Sequence, residues 1–148
     1  MSNGYQISSE YERIKTANTN LTDLLTSTGL FNTVLRGFPE DLNVYKGAVA
    51  TSYVQGAGFR QTMGEANRPE KLNTLIGIIV KGTKTEAHDL SLDTALTVLS
   101  NFRTEPDWLT LKDEVRNTQV ADFKIYPEKT KKGLLTTSII QLEHHILW

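Results

Sequence analysis

The chain has 148 residues, 39% hydrophobic and 22% charged, with 16 Lys plus Arg against 17 Asp plus Glu for a formal net charge of −1. That is the size and composition of one folded domain, and a charge so close to zero gives no global field to attract nucleic acid or an anionic membrane. The absence of cysteine excludes disulfides, thiolate nucleophiles and Cys-based zinc sites.

Met1-Ser2-Asn3-Gly4-Tyr5-Gln6 has no basic start leading into an apolar run, so it does not read as a signal peptide. The longest apolar stretch, about Leu75 to Val80, is far below the ~20 residues that span a bilayer. The expectation is a protein made and used in a cytoplasm, or assembled into something there.

The first element is a helix from about Ser9 to Thr28. Ser9 and Glu12 have capping-box spacing, in which each side chain satisfies an orphan backbone N–H. Ile14, Ala17, Leu21, Leu24 and Leu25 recur at helical spacing, and Gly29 is placed to end the helix in the left-handed conformation. Thr33 to Phe38 reads as a short extended piece and Pro39-Glu40-Asp41 as a turn. Val44 to Val54 is a strand pattern in which Gly47 marks a weak point or a bulge. Gly56 to Lys71, with Gly56, Gly58, Gly64 and Pro69, reads as a long exposed loop or hairpin tip.

Leu72 to Lys81 is apolar on both faces and rich in β-branched residues, as expected of a covered central strand. A polar link, Gly82 to Asp89, leads to a second helix capped by Asp89 or Ser91. Its apolar face is read as Leu92, Ala95, Leu96, Leu99 and Phe102, and Pro106 ends it. A helical turn is expected to hold Trp108, Leu111 and Val115. Val120 to Tyr126 sets Val120, Asp122 and Lys124 against Ala121, Phe123 and Ile125. Pro127 to Gly133 is a charged turn, and Leu134 to Trp148 a long final strand whose even positions are the candidates for the core. Pairing these last two strands makes a hairpin. The fold class is therefore α+β: one domain over 1–148, with a small mixed or antiparallel sheet, two main helices and a closing hairpin.

No pair of groups makes a convincing catalytic site. His144-His145 is the most inviting, but adjacent strand residues point to opposite faces, so the segment cannot bring both to one metal. They read as surface or interface histidines. Glu143 beside them reads as an exposed strand edge. His88-Asp89 could suggest an acid–base dyad, yet a helix cap beside a loop residue accounts for it. Gly56-Ala57-Gly58 lacks the strand-then-helix context and the Gly-Lys-Ser/Thr of a phosphate loop. Lys129, Lys131 and Lys132 form a basic turn, either solvated or in contact with an acidic partner. Trp108 and Trp148 read as packed, within the subunit or at an interface.

The order of elements carries a resemblance. A capped helix leads into a small sheet. The apolar strand Leu75-Ile76-Gly77-Ile78-Ile79-Val80 runs through a polar link into the helix Leu92 to Phe102. The chain closes with a charged turn and Leu134-Leu135-Thr136-Thr137-Ser138-Ile139-Ile140-Gln141-Leu142-Glu143. This resembles the tail terminator and tail-completion proteins of long-tailed bacteriophages, of the lambda minor tail protein U type. The resemblance implies a hexameric ring that caps the tail tube, ends its polymerisation and joins it to the head connector. It implies a place at the head-proximal end of the virion tail, reached by assembly in the host cytoplasm. The implied partners are further copies of the chain, the tail tube protein and the head–tail connector, with no membrane, no sequence-specific nucleic acid, no catalysis and no cofactor. Partner contact is expected through Phe59, Arg60, Met63 and Arg68 of the long loop. Another neck or completion protein, or a non-viral assembly module of similar fold, ranks second, and a small enzyme third.

Overall fold

The computed structural model describes residues 9–37, 47–59, 69–82, 84–130 and 133–146. The elements run α1 (Ser9–Ser27), β1 (Thr33–Arg36), β2 (Ala48–Phe59), β3 (Pro69–Gly82), α2 (Lys84–Thr104), α3 (Pro106–Thr110), β4 (Asn117–Thr130) and β5 (Gly133–His145). The strands form one mixed five-stranded sheet in the order β1-β2-β3-β5-β4, parallel between β1 and β2 and antiparallel elsewhere. The fold is α+β, and the last two strands pair as the expected hairpin.

α1 forms where the apolar stripe predicts. Ala17, Leu21, Leu24 and Leu25 are buried and Ile14 packs against the core. The helix ends as its sequence requires: Gly29 adopts φ +70°, and the amides of Thr28 and Gly29 donate to the carbonyls of Leu25 and Thr26. The side chain of Ser9 lies outside the described residues, so the capping box does too.

The even positions of β3 and β5 form one continuous face beneath the helices. Ile76 sits opposite Ile140, Ile78 opposite Ser138 and Leu72 opposite His144, all fully buried. Ala48, Ala50 and Ser52 of β2 extend that face. The final strand thus uses its even residues for the core, because the pleat alternates faces at every residue.

Several expectations are corrected. α2 begins at Lys84, so neither Asp89 nor Ser91 caps it. Its buried face is Ala87, Ser91, Thr94, Ala95, Val98 and Phe102, while Leu96 is half exposed. The buried face is turned from the apolar-only expectation because two core residues, Ser91 and Thr94, carry hydroxyls. Ser91 Oγ lies 2.5 Å from Ser138 Oγ, which satisfies both inside the core. α1 docks in the same way, with Thr22 Oγ1 2.8 Å from Ser52 Oγ.

The strands also reach further than the sequence suggested. β2 runs to Phe59 and β3 starts at Pro69, so both ends of the expected long loop, Gly56 to Phe59 and Pro69 to Lys71, are ladder. β4 runs on to Thr130, through most of the charged turn. Gly47 is no bulge within β2. It precedes the strand at φ +70°, with the Asn32 side chain where a Cβ would lie and Asn32 Oδ1 accepting from the Ala48 amide. The bulges fall instead between Val54 and Gly56, between Gly58 and Phe59, and between Val120 and Asp122. The last one inserts Ala121, so Val120 shares a face with Phe123 and Ile125 and not with Asp122 and Lys124. The expected turn at Pro39-Glu40-Asp41, the start of the strand at Val44 to Lys46, and Trp148 lie outside the described residues.

Candidate interaction surfaces

The register sets the two predicted contact segments at opposite ends of the sheet. β2 meets β3 at Phe59 and Pro69, beside Lys71 opposite His145. β4 meets β5 at Thr130 and Gly133, beside Gly82 opposite Leu134. Between those ends β5 climbs about 37 Å at ~3.4 Å per residue. Phe59 and Lys129 therefore lie on strand backbone at different poles and cannot form one site. Arg60, Met63, Arg68, Lys131 and Lys132 lie outside the described residues.

The pleat separates the two histidines as expected, but His144 is not a surface group. It is fully buried on the helix side. Its Nε2 lies 2.7 Å from Thr74 Oγ1 of β3 and its Nδ1 2.7 Å from Thr118 Oγ1 of β4. Burial, followed by the nearby His145 charge, lowers its pKa to about 4. His145 faces the other way, 3.7 Å from Glu143 Oε1, and Lys71 Nζ approaches the same carboxylate oxygen at 3.3 Å. β5 is an interior strand, so Glu143 does not stand at a sheet edge. Its neighbours Gln55 and Gln141 are joined at 3.1 Å. These groups make a polar rim on the sheet face away from the helices.

The centre of that face is apolar. Tyr53, Leu75, Ile79 and Ile139 surround a hollow floored by Gly77 and Thr51. A Cβ on Gly77 would lie 3.0 Å from Thr51 Cγ2, a tight approach that the glycine relieves. The Thr51 hydroxyl donates to the Gly37 carbonyl, which ties the exit of β1 to this face.

His88 Nδ1 lies 3.5 Å from Asp89 Oδ1, but both side chains are well exposed on α2 and, among the described residues, no third group orients them. Their place inside a helix replaces the cap reading. Among the described residues, no three His, Asp or Glu groups gather as metal ligands. No described helix is long and apolar enough to cross a membrane.

Trp108 is buried on α3, edge-on to Phe102 with ring centroids 5.1 Å apart. After α3 the chain makes a turn that sequence reasoning missed. Leu111, Lys112 and Asp113 have φ of +47°, +56° and +70° in succession. Three consecutive left-handed non-glycine residues are costly, roughly 1–2 kcal/mol each. The turn is held by the burial of Leu111, by Asn20 Nδ2 donating to the Leu111 carbonyl at 2.9 Å, and by Arg13 donating to the Glu114 carbonyl at 3.4 Å. No glycine signals it. Local bonds close it as well: the Lys112 amide donates to the Asp107 carbonyl, the Glu114 and Val115 amides to the Thr110 carbonyl, and the Asp113 amide to the Thr110 hydroxyl.

No family model matches the chain, and no curated protein does. Among solved structures, that of the bacteriophage SPP1 gp17 protein is similar, with a TM-score of 0.41 and 16% sequence identity over 94% of this chain and 91% of that chain.

Proposed function

We propose that the chain is a bacteriophage tail-completion protein of the terminator type. It assembles into a ring at the head-proximal end of the tail tube, ends polymerisation of the tube and joins it to the head connector. The sequence resemblance supports this reading. So does the order of elements: a helix, a sheet whose apolar β3 passes into α2, and a closing hairpin. The observation that carries it is the placement of the two loop-bearing ends. A ring subunit between a tube and a connector must present unlike surfaces along one axis. Here the β2–β3 and β4–β5 connections leave opposite ends of a rigid sheet about 37 Å apart. Ring closure needs a third, lateral contact that is heterologous, one face of each copy against a different face of the next. Assembly, not catalysis, is the work assigned to the chain.

Two measurements test this. Native mass in solution, alone and with tail tubes, should reveal a closed oligomer on the tube end. A chain that stays monomeric at high concentration and ignores tubes contradicts the reading. Electron microscopy of particles made without the protein should find tails of uncontrolled length and no attached heads. Normal tails with heads attached would sink the proposal.

A further inference from the structure

Residues 111–120 form a short block set off on both sides. On one side is the left-handed run Leu111–Asp113; on the other is the bulge after Val120. Within the block, Asn117, Thr118, Gln119 and Val120 pair with His145, His144, Glu143 and Leu142. Among the described residues β4 is the edge of the sheet, and this segment is laddered to β5 alone. Beyond the ladder, Thr118 Oγ1 binds His144 Nδ1, and the same ring holds Thr74 of β3 through Nε2. One buried imidazole thus ties three strands at the end of the sheet.

We propose that His144 is an acid-sensitive clasp: as the neutral imidazole it holds the 111–120 segment closed, and its protonation opens that segment while the rest of the sheet stays folded. The geometry gives the reason. Both ring nitrogens face neutral hydroxyls, and a hydroxyl oxygen can accept from either. Protonation would therefore leave both hydrogen bonds in place but put an uncompensated charge in the core. Among the described residues, the charged groups on the surrounding elements make no hydrogen bond or ion pair with the ring. Glu143 and His145 of β5 lie on the opposite face and pair there with each other and with Lys71 of β3. Arg13 of α1 donates to the Glu114 carbonyl, and Lys112 reaches Asp23. Glu70 of β3 lies on the same sheet face as His144, one pair further along beside Ile146, and Arg116 precedes β4 with its amide donating to the His145 carbonyl. Among the described residues no carboxylate pairs with the ring or holds its pKa up, so the charge must reach water. β3 is held between two neighbours, whereas the start of β4 is an edge already separated by a bulge and a strained turn, so it yields first. The low pKa of about 4 agrees with a ring kept from charging while the segment is shut.

The test uses the full chain with Trp148→Phe, so that Trp108, on the helix leading into the turn, is the one indole. Acidification from pH 7 should shift Trp108 emission. Corrected for intrinsic rates, it should speed amide exchange of residues 111–120 at least tenfold before residues 72–80 and 136–142 respond. His144→Gln should remove this early phase. Thr118→Val, which keeps the titrating ring but releases one tie, should move its midpoint to higher pH and covers the case in which His144→Gln fails to fold. Loss of protection everywhere at once overturns the clasp, as does an early phase that persists in His144→Gln or a midpoint unmoved by Thr118→Val.

Discussion

Ser91 of α2 and Ser138 of β5 share a buried hydrogen bond of 2.5 Å, and neither hydroxyl is exposed to solvent. The contact fixes the rotation of α2 on the sheet, which an all-apolar face would leave to packing alone. Its removal should be non-additive. Ser138→Ala leaves the Ser91 hydroxyl buried and unpaired, at a cost of about 1–3 kcal/mol. Adding Ser91→Ala removes the orphan, so the double variant should lose less than the sum of the singles. A double-mutant cycle in urea unfolding measures this, and strict additivity contradicts it.

The burial of His144 ties overall stability to pH. Its folded pKa, about 4, lies below the ordinary 6.5, so the unfolded chain takes up the proton first. The stabilisation is complete above about pH 6.5 and is lost as pH falls from there to about 4, where the folded ring also charges. The shift corresponds to roughly 3 kcal/mol at most, as an order of magnitude. Unfolding curves between pH 7 and 4 should be flatter for His144→Gln than for the parent chain. Parallel curves would assign the acid dependence to other groups.

Gly77 tests the close approach on the sheet face away from the helices. Gly77→Ala places a methyl group 3.0 Å from Thr51 Cγ2 and should cost about 1–3 kcal/mol through overpacking. Thr51→Ser keeps the hydroxyl that donates to Gly37 while removing that Cγ2. The pair Gly77→Ala with Thr51→Ser should therefore be more stable than Gly77→Ala alone, measured as a higher thermal midpoint.

The two sheet ends should give separable defects. Arg60→Glu with Arg68→Glu changes the β2–β3 connection, and Lys131→Glu with Lys132→Glu changes the β4–β5 connection. Both pairs should leave the far-UV spectrum and thermal midpoint within a few degrees of the parent. In an assembly assay one pair should impair capping of tubes and the other joining of heads. Identical defects from both would place the two contacts on one partner.

Much of the architecture was legible because it rests on local periodicity. The stripe Ala17-Leu21-Leu24-Leu25 and the terminal Gly29 define α1. The apolar run around Ile78 marks β3 as central, and the even residues of β5 mark the core face. The same pleat shows in the sequence that His144 and His145 cannot share a metal. What the sequence reading missed were polar residues that become internal. Ser91 looked like a cap and His144 like a surface group, since polar side chains ordinarily stay in water.

The sequence by itself determined the element types, their order and the split of the histidines, since each follows from spacing along one strand or helix. Tertiary structure alone decided the rest. Ser91 and His144 are buried because Ser138, Thr74 and Thr118 arrive from elsewhere in the chain to satisfy them. The left-handed turn at Leu111 closes on local bonds to Asp107 and Thr110 and is anchored to the rest of the fold where Asn20 of α1 binds its carbonyl. The two connections point to opposite poles because β3 pairs antiparallel with β5, and register between distant strands is not written in the periodicity of either.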